Sequence, residues 1–348
     1  MSFKWDSFSD QPEVIKDRDF KKTMRRRYLY DFTLMFLKSL LILPFATLIM
    51  KFFKSNKKPS KDEFYGLCVN LDKGDIQPSL VDELGVKNLS IRVFLNDIEN
   101  LESYYQFAKS FGNKNLLICI IQDRKNIENL QLLGKNLELI FDKFSDICTQ
   151  FQIGNAINRL KWEFAAPKEY MDFYGVAYKL KMNKFQNITL LGPCVIDFEY
   201  YYNVTTMFNF KNIKFEKIAA LLYVDRRGSP NNPQYGIFDF KNKINLLFAL
   251  AKLSFKSSDE IYITETNYPI SGTGRYAPTS QKECVSIDDY LKFMRLYHKI
   301  AKESGKIQRV YWHQLIAPGY GLVDNRDGKI VKMPQFYEYK KMIDEDTN

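Results

Sequence analysis

The feature that most restricts the fold of this chain is a repeated unit, which consists of a short β-rich run, a loop and an amphipathic stretch. The unit occurs eight times in about 280 residues after Pro59. Its β-rich runs occupy residues 64–70, 89–95, 115–121, 151–155, 188–195, 218–224, 261–264 and 310–315. Apolar runs separated by helical stretches are typical of a parallel sheet covered by helices. The pattern therefore predicts an α/β fold, with a closed (β/α)8 TIM barrel over residues 64–348.

A doubly wound open sheet is the alternative arrangement for such a pattern. That fold would have a glycine-rich turn after its first strand, whereas residues 69–75 here are VNLDKGD, without a GxGxxG fingerprint. The chain also has only two histidines and no clustered Cys/His spacing. We therefore favour the barrel and expect neither a cofactor nor a metal site.

The positive charge of the chain lies in one N-terminal segment. Residues 16–61 contain 13 Lys/Arg and three Asp/Glu, which accounts for the whole net charge of +10. The rest of the chain is neutral, and a neutral body lacks the basic face that phosphate binding requires. No nucleic-acid partner is expected.

Within that segment, residues 32–50 form an apolar run interrupted by Thr33, Lys38, Ser39 and Thr47. A helix of this length just reaches across a hydrocarbon core of about 30 Å. Lys38 and Pro44 disfavour a span, and cations on both flanks suit a helix lying among lipid headgroups. We expect residues 16–61 to contact membrane lipid, with both arrangements open; a buried core helix with basic ends is the alternative without a membrane. The organisation predicted is a basic region (1–30), a hydrophobic helix (31–53), a basic linker (54–63) and the barrel (64–348).

Polar residues cluster where the predicted strands end, which is where barrel enzymes place their active sites. Arg92 lies in the second strand, and Tyr223 lies near the end of the sixth. The remaining polar positions follow strands three, four, six and seven or lie in strand eight: Gln122, Asp123, Arg124, Asn155, Asn158, Arg159, Asp225, Arg226, Arg227, Glu265, Asn267, Trp312, His313 and Gln314.

This placement resembles that of clan A glycoside hydrolases over residues 64–340. Glu265 in IYITETNYP matches that family's nucleophile, and Asn155 in QIGNAINR matches the Asn before its acid/base residue. Arg92, Tyr223 and Trp312 match the arginine near the nucleophile, the tyrosine beside it and the strand-eight aromatic under the sugar. The strings YVDRRGSP, ITETNYPISGTGRYAP and HQLIAPGYGLVD are similar to those of glycosidase-like proteins of bacterial envelope polysaccharide loci.

The resemblance implies a retaining glycosidase or transglycosidase acting on lipopolysaccharide or another envelope polysaccharide. One position departs from the family, because Ala156 stands where the acid/base glutamate would follow Asn155. Retaining hydrolysis uses two carboxyl groups about 5–5.5 Å apart. Asp123, Glu163 and Asp225 are the alternative acids. The other interpretation is a catalytically impaired glycan-binding or scaffold protein.

Several residues have both a functional and a structural interpretation. Glu265 is a nucleophile kept ionised by Arg92, or half of a structural salt bridge. Trp312 is a sugar platform, or core; its neighbour His313 is expected to face the helices. The remaining candidates for substrate binding are Asn267 and Gln314, together with Arg226 and Arg227, which either grip an anionic substituent or remain solvated.

The predicted partners are a carbohydrate or glycolipid and membrane lipid; the oligomeric state stays open. Five cysteines without a CxxC pair indicate reduced thiols and a reducing compartment. The bacterial inner membrane is the predicted location, on its cytoplasmic face, with the periplasmic face as the alternative.

Overall fold

The computed structural model describes residues 3–55 and 57–346. Within those residues, eight parallel strands close into a barrel in chain order, and the last strand pairs with the first. The predicted TIM barrel is confirmed, and each predicted run overlaps one of these strands. The strands, labelled β1 to β8, span Tyr65–Val69, Asn88–Phe94, Asn115–Ile121, Gln150–Ile153, Thr189–Ile196, Lys217–Leu221, Ile261–Thr266 and Ile307–Trp312.

Helices cover the outside of the barrel and bury one apolar face each. In the helix over Leu130–Phe144, for example, Leu133, Leu137, Ile140 and Phe144 recur at intervals of three or four residues and are all buried. The side chain of Asn129 caps this helix by accepting a hydrogen bond from the Leu132 amide at 3.0 Å. The helices, labelled α1 to α12, span Arg18–Arg27, Leu29–Ile49, Lys61–Phe64, Gln77–Leu84, Leu101–Lys109, Arg124–Glu128, Leu130–Phe144, Pro167–Lys184, Tyr200–Met207, Phe240–Leu253, Ile287–Glu303 and Pro334–Glu345.

The apolar helix α2 lies along the side of the barrel, against α8, α9 and α10. It is long and apolar enough to cross a membrane. Met35, Ser39 and Ala46 are its buried residues. The Lys38 ammonium donates a hydrogen bond to the Phe208 carbonyl at 2.9 Å, so this lysine faces the barrel. The opposite side of α2 exposes a stripe of large apolar side chains: Phe36, Leu37, Leu40, Leu41, Phe45 and Leu48.

Two short antiparallel hairpins complete the fold. One pairs Val323–Asp324 with Val331–Lys332. The other pairs Trp5–Asp6 with Gln11–Pro12, and we call it the N-terminal hairpin. Its Trp5 ring packs on Phe94 at the end of β2, with ring centroids 5.1 Å apart. The N-terminal hairpin therefore lies over the rim where the strands end.

The seam between β8 and β1 depends on a glycine. Gly66 pairs with Tyr311, and a Cβ at Gly66 would lie 2.7 Å from Cδ1 of the Tyr311 ring. We predict that Gly66→Ala lowers the free energy of unfolding by about 1–3 kcal/mol through overpacking. Urea denaturation measures this. The control is Gly134→Ala in α7, where the nearest atom is 3.6 Å away, so a similar loss in both variants would contradict the prediction.

Candidate active site

Glu265 lies near the end of β7 and faces the barrel interior, where it is only 7% exposed. One carboxylate oxygen accepts a hydrogen bond from Arg92 Nη2 at 2.9 Å. The other accepts from the Tyr223 hydroxyl at 2.8 Å. The arginine comes from β2 and the tyrosine from the loop after β6, so three separate segments hold one carboxylate.

The surroundings of Glu265 favour its ionised form. Burial acts to raise the pKa of this carboxyl, but three groups outweigh it: His313, which is charged only at acid pH, Arg92 and the Tyr223 hydroxyl. The pKa therefore lies below that of an ordinary glutamate. Arg92 is buried too, and its two neighbouring carboxylates keep its pKa raised against the effect of burial. The pair is therefore charged at neutral pH, and each carboxylate oxygen retains a defined hydrogen-bond donor.

His313, rather than Trp312, joins this cluster, which corrects the expectation for both residues. Trp312 is fully buried, and its Nε1 donates to the hydroxyl of Tyr290 in α11 at 2.7 Å. Its ring therefore faces the helix layer, and its predicted role as a sugar platform is wrong. His313 Nε2 lies 3.3 Å from Arg92 Nη2. Burial and Arg92 lower the pKa of His313 to about 4, so the imidazole is neutral.

The rim after β4 carries no carboxylate at the position that the resemblance assigns to the acid. Ala156 is fully buried there, with a left-handed backbone at φ 43°. Asn155 is held by Gln122, whose side-chain oxygen accepts from the Asn155 amide at 2.9 Å. Gln152 Nε2 donates to Asn155 Oδ1 at 3.1 Å. These bonds fix the loop, but they supply no proton donor in place of a glutamate.

The three alternative acids have different surroundings in the structure. Asp123 caps α6, since its Oδ1 accepts from the Asn126 amide at 2.7 Å. Glu163 accepts a hydrogen bond from the Arg124 amide. Asp225 lines a cavity of about 330 Å³ beside the rim, and Tyr223 lines the same cavity. In the described part of the chain, none of the three hydrogen-bonds to Glu265, Arg92 or Tyr223.

The predicted binding residues divide into two groups. Arg226 is exposed, and Arg227 places its guanidinium carbon 3.3 Å from the centroid of the Tyr223 ring. Both line the cavity that also contains Asp225. Asn267 follows β7 and is buried, and its Oδ1 has no partner within the described residues. Gln314 lies beside the Glu265 cluster, where its Nε2 donates to Asp10 at 2.8 Å.

Asp10, in the N-terminal hairpin, is the residue that sequence reasoning missed. Its carboxylate lies 3.8 Å from Arg92 Nη1, so it shares the guanidinium that binds Glu265. Asn70 and Lys73, after β1, also contact Asp10. No motif marks Asp10, because it precedes the barrel in a segment assigned to the basic N-terminal region.

No family model matches this chain, and no curated protein matches it. Solved structures do match in fold. A monomeric β-xylosidase from Caulobacter crescentus CB15 is similar with a TM-score of 0.59 and 13% identity, over 82% of this chain and 69% of that one. The GH39 enzyme from Xanthomonas axonopodis pv. citri is similar with a TM-score of 0.57 and 11% identity, over 82% of this chain and 67% of that one. The GH53 catalytic domain of Ignisphaera aggregans is similar with a TM-score of 0.57 and 16% identity, over 83% of this chain and 99% of that one.

These neighbours are glycoside hydrolases, and their barrel is the one found here. The chain therefore has the same TIM-barrel fold as these enzymes, which is the fold that the sequence resemblance implied. Identities of 11–16% establish the fold alone. What the site does follows from its own residues.

Glu163 provides a test of the electrostatics at the rim. Burial, against the hydrogen bond from Arg124, raises its pKa from 4.5 to about 7 in the folded chain. Its contribution to stability is then full below pH 4.5 and is lost as the pH rises through about 7. We predict that wild type loses stability relative to Glu163→Gln as the pH rises from 4.5 to about 7, as measured by urea denaturation. Parallel pH profiles for the two proteins would contradict the prediction.

Proposed function

We propose that this protein is a retaining-type glycoside hydrolase-like protein whose nucleophile is Glu265. The observation that carries the proposal is the pair of hydrogen bonds from Arg92 and Tyr223, one to each oxygen of a buried carboxylate with a lowered pKa. An ionised carboxylate held in this way is ready to attack, because its charge is not lost to protonation at neutral pH. A structural salt bridge alone would not require the tyrosine.

The proposed reaction is the transfer of a glycosyl group to Glu265. The carboxylate oxygen attacks the anomeric carbon, and the bond to the leaving oxygen breaks with its electron pair. Since Ala156 has no proton to give, the leaving oxygen must carry the negative charge itself. Aryl oxides and diphosphates tolerate that charge, whereas alkoxides do not. We therefore infer that the substrate is an activated glycoside. Water or a sugar hydroxyl then attacks the same carbon and loses its proton to the solvent, while the bond to Glu265 breaks and restores the carboxylate.

The rival function is a glycan-binding or scaffold protein without chemistry. Two observations favour it: a buried alanine, Ala156, stands at the position of the acid, and the N-terminal hairpin covers the rim above Glu265. In this function, Glu265 and Arg92 contribute only shape and charge to a carbohydrate site.

For the substrate, we propose a bacterial envelope glycan, either lipopolysaccharide or another polysaccharide. Support comes from the resemblance of the loops after β6, β7 and β8, and from the apolar helix α2. The described cysteines are all free, and four of them are buried. Reduced thiols favour the cytoplasmic face of the inner membrane.

For the membrane contact, the packing of α2 supports a helix lying flat among the headgroups. If α2 crossed the bilayer, the attached flank of the barrel would enter the hydrocarbon with it. That flank includes charged residues such as Lys168, Asp172 and Lys211, which pair with one another at the surface. A flat helix instead buries only the outward apolar stripe and leaves these charges in water.

One prediction of the proposed function concerns the covalent step. Dinitrophenyl glycosides of several sugars should be cleaved with a glycosyl group retained on Glu265, as seen by mass spectrometry of its peptide. Because protonation by a general acid is worth about 10²–10⁴ in rate, alkyl glycosides should react slower by at least that factor. Glu265→Gln should form no adduct.

Glu163→Gln is the matched control for that experiment, since it changes a rim carboxylate that does not contact Glu265. It should retain the adduct. Labelling that persists in Glu265→Gln would contradict the assignment of the nucleophile. Glycan binding without any adduct or turnover would favour the binding protein.

Another prediction concerns the contact between α2 and the membrane. Leu41, 75% exposed on the outward side of α2, should insert into lipid, so that Leu41→Gln weakens binding to phosphatidylglycerol/phosphatidylcholine vesicles about tenfold. Leu139→Gln in α7, also at an exposed leucine, is the control and should bind as wild type does. Equal losses would contradict a specific face. Retention of the full chain in alkali-washed membranes would contradict the flat arrangement.

A further inference from the structure

The N-terminal hairpin covers the carboxyl end of the barrel through contacts with several loops. The Trp5 ring lies 5.8 Å from that of Trp162, between β4 and α8. Gln11 Nε2 donates to the Pro278 carbonyl, after β7, at 2.7 Å. Trp5 and Phe8 nevertheless remain 38% and 41% exposed. The hairpin is therefore seated on the rim without becoming part of the core.

From this hairpin, Asp10 extends its carboxylate into the barrel mouth. The residue is 7% exposed, and its backbone is left-handed at φ 55°, a conformation that aspartate tolerates better than most residues. Its Oδ2 accepts hydrogen bonds from Gln314 Nε2 at 2.8 Å and from Asn70 Nδ2 at 3.2 Å. Both amides belong to barrel segments, so the barrel provides ready-made donors for one carboxylate.

Two cations also lie near Asp10, but neither makes a close contact with its carboxylate. Arg92 Nη1 donates to the Asp10 carbonyl at 3.4 Å, and Lys73 pairs with the exposed Asp72 at 2.8 Å. Arg92 Nη1 and Lys73 Nζ each lie 3.8 Å from an Asp10 oxygen. Charge-assisted hydrogen bonds normally have lengths of about 2.7–2.9 Å. Because Asp10 is part of the hairpin, its carboxylate does not come within hydrogen-bond distance of either cation. A free carboxylate carried by a ligand has no such constraint and can approach both more closely.

We infer that Arg92, Lys73, Asn70 and Gln314 form a recognition site for the carboxylate of an acidic sugar, and that Asp10 occupies this site in the structure. We call these four residues the anion cradle. The cradle shares Arg92 with Glu265, so a sugar whose acid group enters the cradle has its ring next to the proposed nucleophile. This inference rests on the proposed function in that both place a sugar in the same mouth.

The inference predicts that Asp10 and a ligand compete. Removing an internal occupant raises the fraction of binding-competent protein, and the apparent Kd falls in proportion. We expect Asp10→Ala, as the full chain in mild detergent, to bind D-glucuronate at least about tenfold more tightly than wild type does. D-glucose should show no such gain. Tryptophan fluorescence is the readout, because Trp5 and Trp162 meet at the junction between hairpin and barrel.

A second measurement does not depend on the choice of sugar. Acetate should raise the melting temperature of Asp10→Ala by filling the vacated site, whereas neutral acetamide should not. Adding Lys73→Met to Asp10→Ala should abolish both the acetate effect and the gain for glucuronate. Cooperative melting of Asp10→Ala verifies that the variant is folded.

Three outcomes would overturn the inference. Equal gains for glucose and glucuronate would mean that Asp10 blocks the mouth without marking an anion site. A gain for glucose 6-phosphate alone would exclude the carboxylate. If neither acetate nor glucuronate stabilised Asp10→Ala, these four residues would not form an anion site. All three are binding results, so they are distinguishable from a failure of adduct formation on Glu265, which would count against the proposed function.

Discussion

The site depends on a single buried positive charge, the guanidinium of Arg92. It contacts Glu265 through Nη2 and faces Asp10 through Nη1, and all three residues are less than a tenth exposed. Removing one partner of a buried ion pair costs about 3–5 kcal/mol, because the remaining charge is left uncompensated. Here the loss of Arg92 would leave two such carboxylates. Through Arg92, the charge of Glu265, the proposed nucleophile, thus depends on the group that occupies the proposed anion cradle.

The two sides of this mouth differ in chemistry. On the side of β7, β2 and β6, a carboxylate is held ionised by two donors. On the side of β4, Ala156 provides only a methyl group, and the amides of Asn155 and Gln122 bind each other. An ionised Glu265 together with a methyl group at the position of the acid suits transfer from a good leaving group, or binding without transfer. The same asymmetry explains why the fold of a glycosidase does not by itself establish hydrolysis.

The N-terminal segment joins the mouth to the side of the barrel. The hairpin ends at Pro12, α1 begins at Arg18, and α2 continues along α8, α9 and α10. Tyr28, between the two helices, donates a hydrogen bond to Glu169 of α8 at 2.5 Å, which anchors the segment midway. The covering of the mouth and the apolar stripe of α2 therefore belong to one short stretch of chain.

The sequence by itself determined the barrel, the number of its strands, and the placement of Arg92, Tyr223 and Glu265 at one rim. These follow from local apolar periodicity and from the rule that parallel strands end on the same side. Only the tertiary structure decided which side chains at the end of β8 face the barrel interior. Trp312 faces Tyr290 in the helix layer, and His313 faces the interior. Alternation along a strand tells which residues share a face but not which face is inside, when both neighbours have aromatic rings. Asp10 reached Arg92 across 82 residues of chain, and no local pattern encodes a contact that exists only after the barrel has closed.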